Sequence, residues 1–300
     1  MLISELRDSL LKDKTLSGCS ENTIHDYYFF IKVFMDYLGT DLPVSSISRE
    51  MIDSYVLSIR DRGLSKATQH TYLHHLRIFF NYCARQETLL FSPADIPVPR
   101  SPKKRLRIYS TADIRLIYQS ISGSSDWITA RNRAIVFLML DSGLRQMEIT
   151  TLRLKDIDFN EERMIVHGKG NKERVVPLGS SSAAFIKQYL ELLPHKQSKF
   201  LFCSNSGEKL SGNAIKLFMR RLALQLPFEF SSHKLRHNFA TNYCLDQLEE
   251  NGFVDTYSLM YIMGHEEIET TEKYVHFAKE VLASKKHISH LDKIFQSITA

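Results

Sequence analysis

The chain has 300 residues, too many for one small domain and enough for two. Hydrophobic residues at 43% and charged residues at 24% exclude wholesale disorder. No run of about 18 uncharged apolar residues offers a membrane span. The opening stretch MLISELRDSLLKDK mixes charges into its apolar positions, unlike a secretory signal. Four cysteines (Cys19, Cys83, Cys203, Cys244) lie far apart without a CxxC pair, which argues against a zinc ribbon or a disulfide framework. These features describe a soluble, cytoplasmic protein. The net charge of +5 is uneven: residues 1–99 carry 10 Lys/Arg against 12 Asp/Glu, and residues 100–300 carry 29 against 22. That asymmetry points the second part toward a polyanion.

The first 90 residues read as a helical bundle. Ser20 is placed to cap a helix whose residues Ile24, Tyr27, Tyr28, Ile31, Phe34, Met35 and Leu38 recur at helical spacing up to Gly39. Ser48 opens a second helix with Met51, Ile52, Tyr55, Val56 and Ile59 inward, stopped at Gly63. Ser65 opens a third, burying Tyr72, Leu73, Leu76, Phe79, Phe80 and Cys83, and residues 2–12 supply a fourth.

The composition then changes abruptly. Pro93, Pro97, Pro99 and Pro102 stop any helix and favour an extended linker. Arg100, Lys103, Lys104, Arg105 and Arg107 overlap it without one acid, either as a solvated linker or as a basic strap along phosphates. Ser110-Thr111-Ala112-Asp113 starts a mostly helical stretch running to about Leu154. Residues 164–167 and 174–178, β-branched runs around Gly168-Lys169-Gly170-Asn171-Lys172, predict a hairpin. Helical periodicity resumes after Ser180, breaks around Lys199–Gly212, and continues to the end.

Neither GxxxxGKS/T nor GxGxxG occurs, nor HExxH or GxSxG, so neither ATP nor a metal is expected. What remains is a scattered set of basic and imidazole groups. Arg145 follows a glycine break in Ser142-Gly143-Leu144-Arg145, with Glu148 three residues on. His233 and Arg236 share a helix face in His233-Lys234-Leu235-Arg236-His237. Met263-Gly264-His265 ends one helix, and Tyr274 follows in Thr270-Thr271-Glu272-Lys273-Tyr274-Val275-His276. Singly, each has an ordinary reading as a structural histidine, a core tyrosine, or an arginine paired with Glu148 or Glu161. Only the set is informative.

The set resembles the tyrosine recombinase (phage integrase) family, in size and layout its Xer and transposon-integrase branch. That family's pattern is an arginine in a TGLR-like turn followed by an acid, a hairpin lysine in GKGxK, an HxLRH box, a GH, and a tyrosine in TTxxYxH. Here those positions hold Arg145 with Glu148, Lys169, His233 with Arg236 and His237, His265, and Tyr274 with His276. The resemblance implies a mainly α protein. Residues 1–92 would form a four-helix, SAM-like core-binding domain and 93–108 a basic linker. Residues 109–300 would form a mostly helical catalytic domain with a small β-hairpin. It also implies a double-stranded DNA partner with an inverted-repeat core, a homotetramer on synapsed sites with or without an accessory protein, and a place on the nucleoid.

The chemistry suits those residue types. Displacement at a phosphodiester builds charge on its non-bridging oxygens, which Arg145 and Arg236 would bind with planar donor pairs. A free phenol has a pKa of about 10, so Tyr274 as nucleophile needs a base, for which His233 is the natural choice. Lys169 would protonate the leaving 5′ oxygen, with Lys172 its competitor, and His265 would donate to a phosphate oxygen. Glu148 reads as structural support for the arginines, and Lys103, Lys104, Arg105, Arg107 and Lys172 as DNA contacts.

Between His233 and His265 the chain is longer than is usual in the Xer branch, which reads as a loop insertion around Leu248–Asp255. Val281, Leu282, Ile288, Leu291, Ile294, Phe295 and Ile298 make an apolar helical face that packs either on its own domain or on a neighbouring protomer. The resemblance implies a site-specific recombinase that cleaves and rejoins DNA through a 3′-phosphotyrosyl bond to integrate or excise a mobile element. A dimer resolvase, a type IB topoisomerase-like relaxing enzyme (against which the short layout argues) and a non-catalytic DNA-binding regulator are the alternatives.

Overall fold

The computed structural model describes residues 1–100, 107–168 and 172–284. Lys103, Lys104 and Arg105 of the basic linker, the hairpin residue Lys169, and the apolar face beyond Ser284 lie outside the described residues. The chain divides into two compact units, Met1–Lys104 and Arg105–Ala300. No described helix is long and apolar enough to cross a membrane.

The first unit consists of α1 (Ile3–Leu16), α2 (Glu21–Leu38), α3 (Arg49–Asp61) and α4 (Lys66–Cys83). The serines expected to cap α2, α3 and α4 do so: Ser20, Ser48 and Ser65 each accept a backbone N–H three residues on. Their inward faces meet in one core, with Leu6 and Leu10 from α1, Ile31 and Phe34 from α2, Ile52 and Tyr55 from α3, and Leu76 and Phe80 from α4. One expectation fails on this face. Tyr28 is 40% exposed, and the Arg7 guanidinium lies over its ring at 5.0 Å. A phenol with a cation on its face gains enough at the rim to stay there.

In the second unit α5 (Thr111–Ser120) leads to α6 (Asp126–Ser142) and the short α7 (Gln146–Thr151). Strands β1 (Ile157–Asp158), β2 (Arg163–His167) and β3 (Glu173–Pro177) form an antiparallel sheet in that order. Helices α8 (Ser180–Leu192), α9 (Gly212–Ala223), α10 (Ser232–Asn251), α11 (Thr256–Met263) and α12 (Glu269–Ser284) complete it. Helix α6 buries Ala130, Asn132, Ala134, Ile135, Val136, Leu138 and Met139, so it is covered on nearly every side, as a central helix must be. It packs on α8 and on α10.

The hairpin has the expected alternation with one exception of type. Met164, Val166 and Val176 face inward while Ile165 and Val175 face out, and the inward position beside Val176 is Arg174. The ladder closes at His167 opposite Glu173, and Gly168 N–H donates to the Lys172 carbonyl at 2.8 Å. Half of the loop insertion is helix instead. Leu248–Asn251 extend α10, whose polar, glutamate-rich end favours helix, until Gly252 stops it in the left-handed conformation.

Gly143 ends α6 with φ 64° and turns the chain directly into the segment that carries Arg145. A Cβ there would overlap the Phe239 ring and lie 2.9 Å from Met263 Sδ. Left-handed backbone alone costs a side-chain-bearing residue about 1–2 kcal/mol, and overpacking adds a comparable amount. Gly143→Ala should therefore lower the unfolding free energy by roughly 2 kcal/mol or more in denaturant titration. A variant as stable as the native chain would show that the turn is not constrained.

Candidate active site

Four short segments build the site: the turn from α6 into α7, strand β3, the first turns of α10, and the junction of α11 with α12. Arg145 is the N-cap of α7, and Glu148 closes the cap by accepting its backbone N–H at 2.8 Å. The same carboxylate accepts from Arg145 Nη1 at 3.1 Å, while Arg145 Nη2 donates to the Gly264 carbonyl at 2.6 Å. Arg174 reaches Glu148 with both terminal nitrogens, at 2.8 and 2.9 Å, and gives its Nε–H to the Ile262 carbonyl. Despite desolvation, these cations hold the Glu148 carboxyl below the usual carboxylate range.

Arg236 is held by carbonyls. Its Nη1 and Nη2 each donate at 2.5 Å, to Gly143 and to Met263. Burial, helped by the nearby Arg145 charge, lowers its pKa to about 10, so it stays cationic at neutral pH. Gly264 lets the cations gather: a Cβ on it would stand 3.1 Å from the guanidinium groups of both Arg145 and Arg174. Two guanidiniums share one carboxylate and a third has only dipoles. The site is short of negative charge.

Tyr274 sits on α12 at 1% exposure, its ring among Ala240, Cys244, Leu259, Met263 and Ala278. Its hydroxyl is 2.6 Å from His237 Nδ1, and the His265 ring stacks on it with centroids 6.3 Å apart. Burial pushes the phenol up to about 12, against the pull of Arg236. His237 is pushed down to about 4, first by burial and then by Lys273 and other neighbouring positive groups. Burial and the charges of Arg236 and Arg145 push His265 down to about 3, and its Nδ1 is 2.8 Å from the Thr271 hydroxyl. Both imidazoles are neutral at physiological pH.

An open cleft of about 1460 Å³ is lined by Arg145, Glu148, Lys172, Arg174 and His265 among others. Tyr274, Arg236 and His233 do not line it. His233 is exposed and contacts the His237 ring at 6.4 Å, so the group on the phenol is His237 and not the expected base. Arg107, expected to face a polyanion, pairs with Asp113 at 2.9 Å and stacks on Phe228. Arg174 and Thr271 went unread in the sequence. Arg174 left one signal, a charged residue in the inward register of a strand. Among the described residues no cluster of three or more His, Cys, Asp or Glu is arranged to hold a metal ion.

The profile of the phage integrase family matches residues 109–280, and that of the phage integrase N-terminal SAM-like domain matches residues 6–88. The chain belongs to the phage integrase family. It is a tyrosine recombinase, an enzyme of DNA strand transfer. It is 30% identical to tyrosine recombinase XerC of Alcanivorax borkumensis, over 88% of this chain and 86% of the relative. It is 28% identical to tyrosine recombinase XerD of Listeria innocua, over 93% and 94%. Its fold resembles that of the Tn1549 transposon integrase solved in complex with transposon right-end DNA, at 18% identity, a TM-score of 0.74 and complete coverage of both chains.

The neutral histidines give the recombinase a predictable acid response. On unfolding, each returns to a pKa of about 6.5, so the unfolded chain binds more protons below that pH. Stability from this source is complete above about 6.5 and is lost as pH falls toward about 4 for His237 and about 3 for His265. The melting temperature should fall from pH 7 to pH 5. His265→Gln should flatten that slope by roughly 1 kcal/mol of unfolding free energy. An unchanged slope would mean that His265 titrates normally in the folded protein.

Proposed function

We propose that this recombinase cleaves and rejoins double-stranded DNA at an inverted-repeat core through a 3′-phosphotyrosyl bond to Tyr274. The observation that carries this reading is a buried phenol held between His237 and His265, with the Arg236 charge acting on it and Arg145 close to Arg236. Arg145 and Arg236 bind the two non-bridging oxygens of the scissile phosphate, and their charge offsets what accumulates there in the transition state. Thr271 donates its hydroxyl to His265 Nδ1, which leaves the proton on Nε2 for a phosphate oxygen. His237 keeps the phenol in its resting place. When Tyr274 moves to the cleft, His233 takes its proton. The phenolate oxygen bonds to phosphorus as the 5′ oxygen leaves, and that oxygen is protonated by Lys169. The ester formed keeps the energy of the one broken, so rejoining to a new strand needs no ATP.

Residues 1–92 and 109–300 act as the core-binding and catalytic domains on either side of the basic linker 93–108. Four protomers synapse two sites and exchange strands pairwise, with residues 281–300 of one protomer docked on the next. The biological role is integration and excision of a mobile element, as the fold shared with a transposon integrase suggests. The XerC and XerD relatives favour a second reading, resolution of chromosome or plasmid dimers.

Incubation with fragmented source-genome DNA, followed by denaturation and sequencing of DNA bound to protein, tests both readings. Adducts should form with the native protein and vanish in Tyr274→Phe. Convergence on the ends of a mobile element means integration, and convergence on one chromosomal or plasmid site means dimer resolution. Binding without any Tyr274-dependent adduct would favour a non-catalytic regulator. On the site so found, Lys169→Ala should slow cleavage by about 10²-fold or more, whereas Lys172→Ala should mainly weaken binding. A normal rate for Lys169→Ala would sink that assignment. Deleting residues 281–300 should abolish strand exchange yet leave duplex binding largely intact, and unimpaired exchange would refute docking in trans.

A further inference from the structure

Arg174 poses a physical question. It occupies an inward position on β3 beside Val176 and is 7% exposed, where an aliphatic side chain would fit the alternation. Burying a guanidinium and a carboxylate together is rarely a route to stability, because desolvation consumes most of the Coulombic gain. What the pair supplies is geometry.

Glu148 has two oxygens, and Arg174 occupies both, at 2.8 and 2.9 Å. Oε2 also accepts the Arg145 backbone N–H, which fixes the carboxylate relative to the start of α7. The Arg145 side chain is left with a single contact to the acid, Nη1 to Oε1 at 3.1 Å. Without Arg174 the two oxygens would be free to chelate Arg145 in the paired geometry that arginine and carboxylate prefer. Arg145 would then be neutralised and turned from the cleft. The third bond, Nε–H to the Ile262 carbonyl, ties β3 to α11 two residues before Gly264, whose carbonyl holds Arg145 Nη2. A single buried guanidinium thus references the hairpin, the α7 cap and the α11 terminus to one another.

We infer that Arg174 is a positioning residue that occupies the Glu148 carboxylate so that Arg145 keeps its donors for the scissile phosphate. This rests on the reading of Arg145 as a phosphate ligand. Lysine at 174 would keep the charge but not the planar pair of donors. It should therefore fail to restore the arrangement.

The test is single-turnover cleavage by Arg174→Lys on the core duplex recovered by adduct sequencing. One substrate carries the ordinary scissile phosphate. The other carries a methylphosphonate there, which lacks one charged oxygen and so needs less from Arg145. Arg174→Lys should lose about 10²-fold in rate on the phosphate, bind the duplex within about threefold of the native affinity, and recover to within about tenfold of native on the methylphosphonate. Equal losses on both substrates, or no loss on either, would overturn the inference. Arg174→Gln is measured alongside, and loss of folding in both variants would assign the residue to stability alone and overturn it too. Arg145→Ala is the control for the underlying reading. If it cleaves the phosphate normally, Arg145 is not the ligand, and that result is distinct from any failure of Arg174.

Discussion

Two helix ends point at the same place, and the site depends on it. Helices α6 and α11 both stop at a glycine in the left-handed conformation, Gly143 and Gly264. The carbonyls freed there accept from guanidiniums: Gly143 and Met263 from Arg236, Gly264 from Arg145, and Ile262 from Arg174. Helix C-termini carry partial negative charge, so Arg236 is held by dipoles alone, while Arg145 and Arg174 add one shared carboxylate, and the three cations are neutralised only in part. The positive charge persists, preorganised, beside the cleft. A site built from carboxylates in those places would hold the same arginines and cancel their charge.

The phenol obeys a different rule. Tyr274 is placed by packing, with its hydroxyl satisfied by a neutral imidazole, and its environment makes it a poorer acid than free tyrosine. The cationic cleft and the buried phenol therefore lie apart in this structure. The cleavage proposed for Tyr274 would need both a movement of the ring to the cleft and a drop in pKa, toward which Arg236 already pulls.

Much of this was readable from residues. Serine caps and helical spacing locate the helices of the first unit because both act through local chain geometry, and glycine stops mark their ends. Arg145, Arg236, His265 and Tyr274 announce themselves through short boxes. The pairing of Tyr274 with His237 and not His233 did not, because both imidazoles lie near the start of one helix and only the approach of α12 decides between them. Arg174 was hidden for a related reason. A lone arginine in a hairpin reads as exposed until an acid from another segment, Glu148, is known to lie beneath the sheet. The extension of α10 through Asn251 was misread as a loop because a charged, asparagine-ended stretch looks alike in both settings.

Burial of the Tyr274 ring among Ala240, Cys244, Leu259, Met263 and Ala278 has a consequence in populations. Withdrawing an aromatic ring of this kind from an apolar nest costs about 1.5–3 kcal/mol. On that figure a form with the ring withdrawn makes up only about one molecule in ten to one in a hundred. Whatever stabilises the extracted tyrosine must contribute more than that difference to make it dominant, since matching it only equalises the two forms. The contact that draws the ring out, and not a change within the nest itself, then sets how much of the withdrawn form is present.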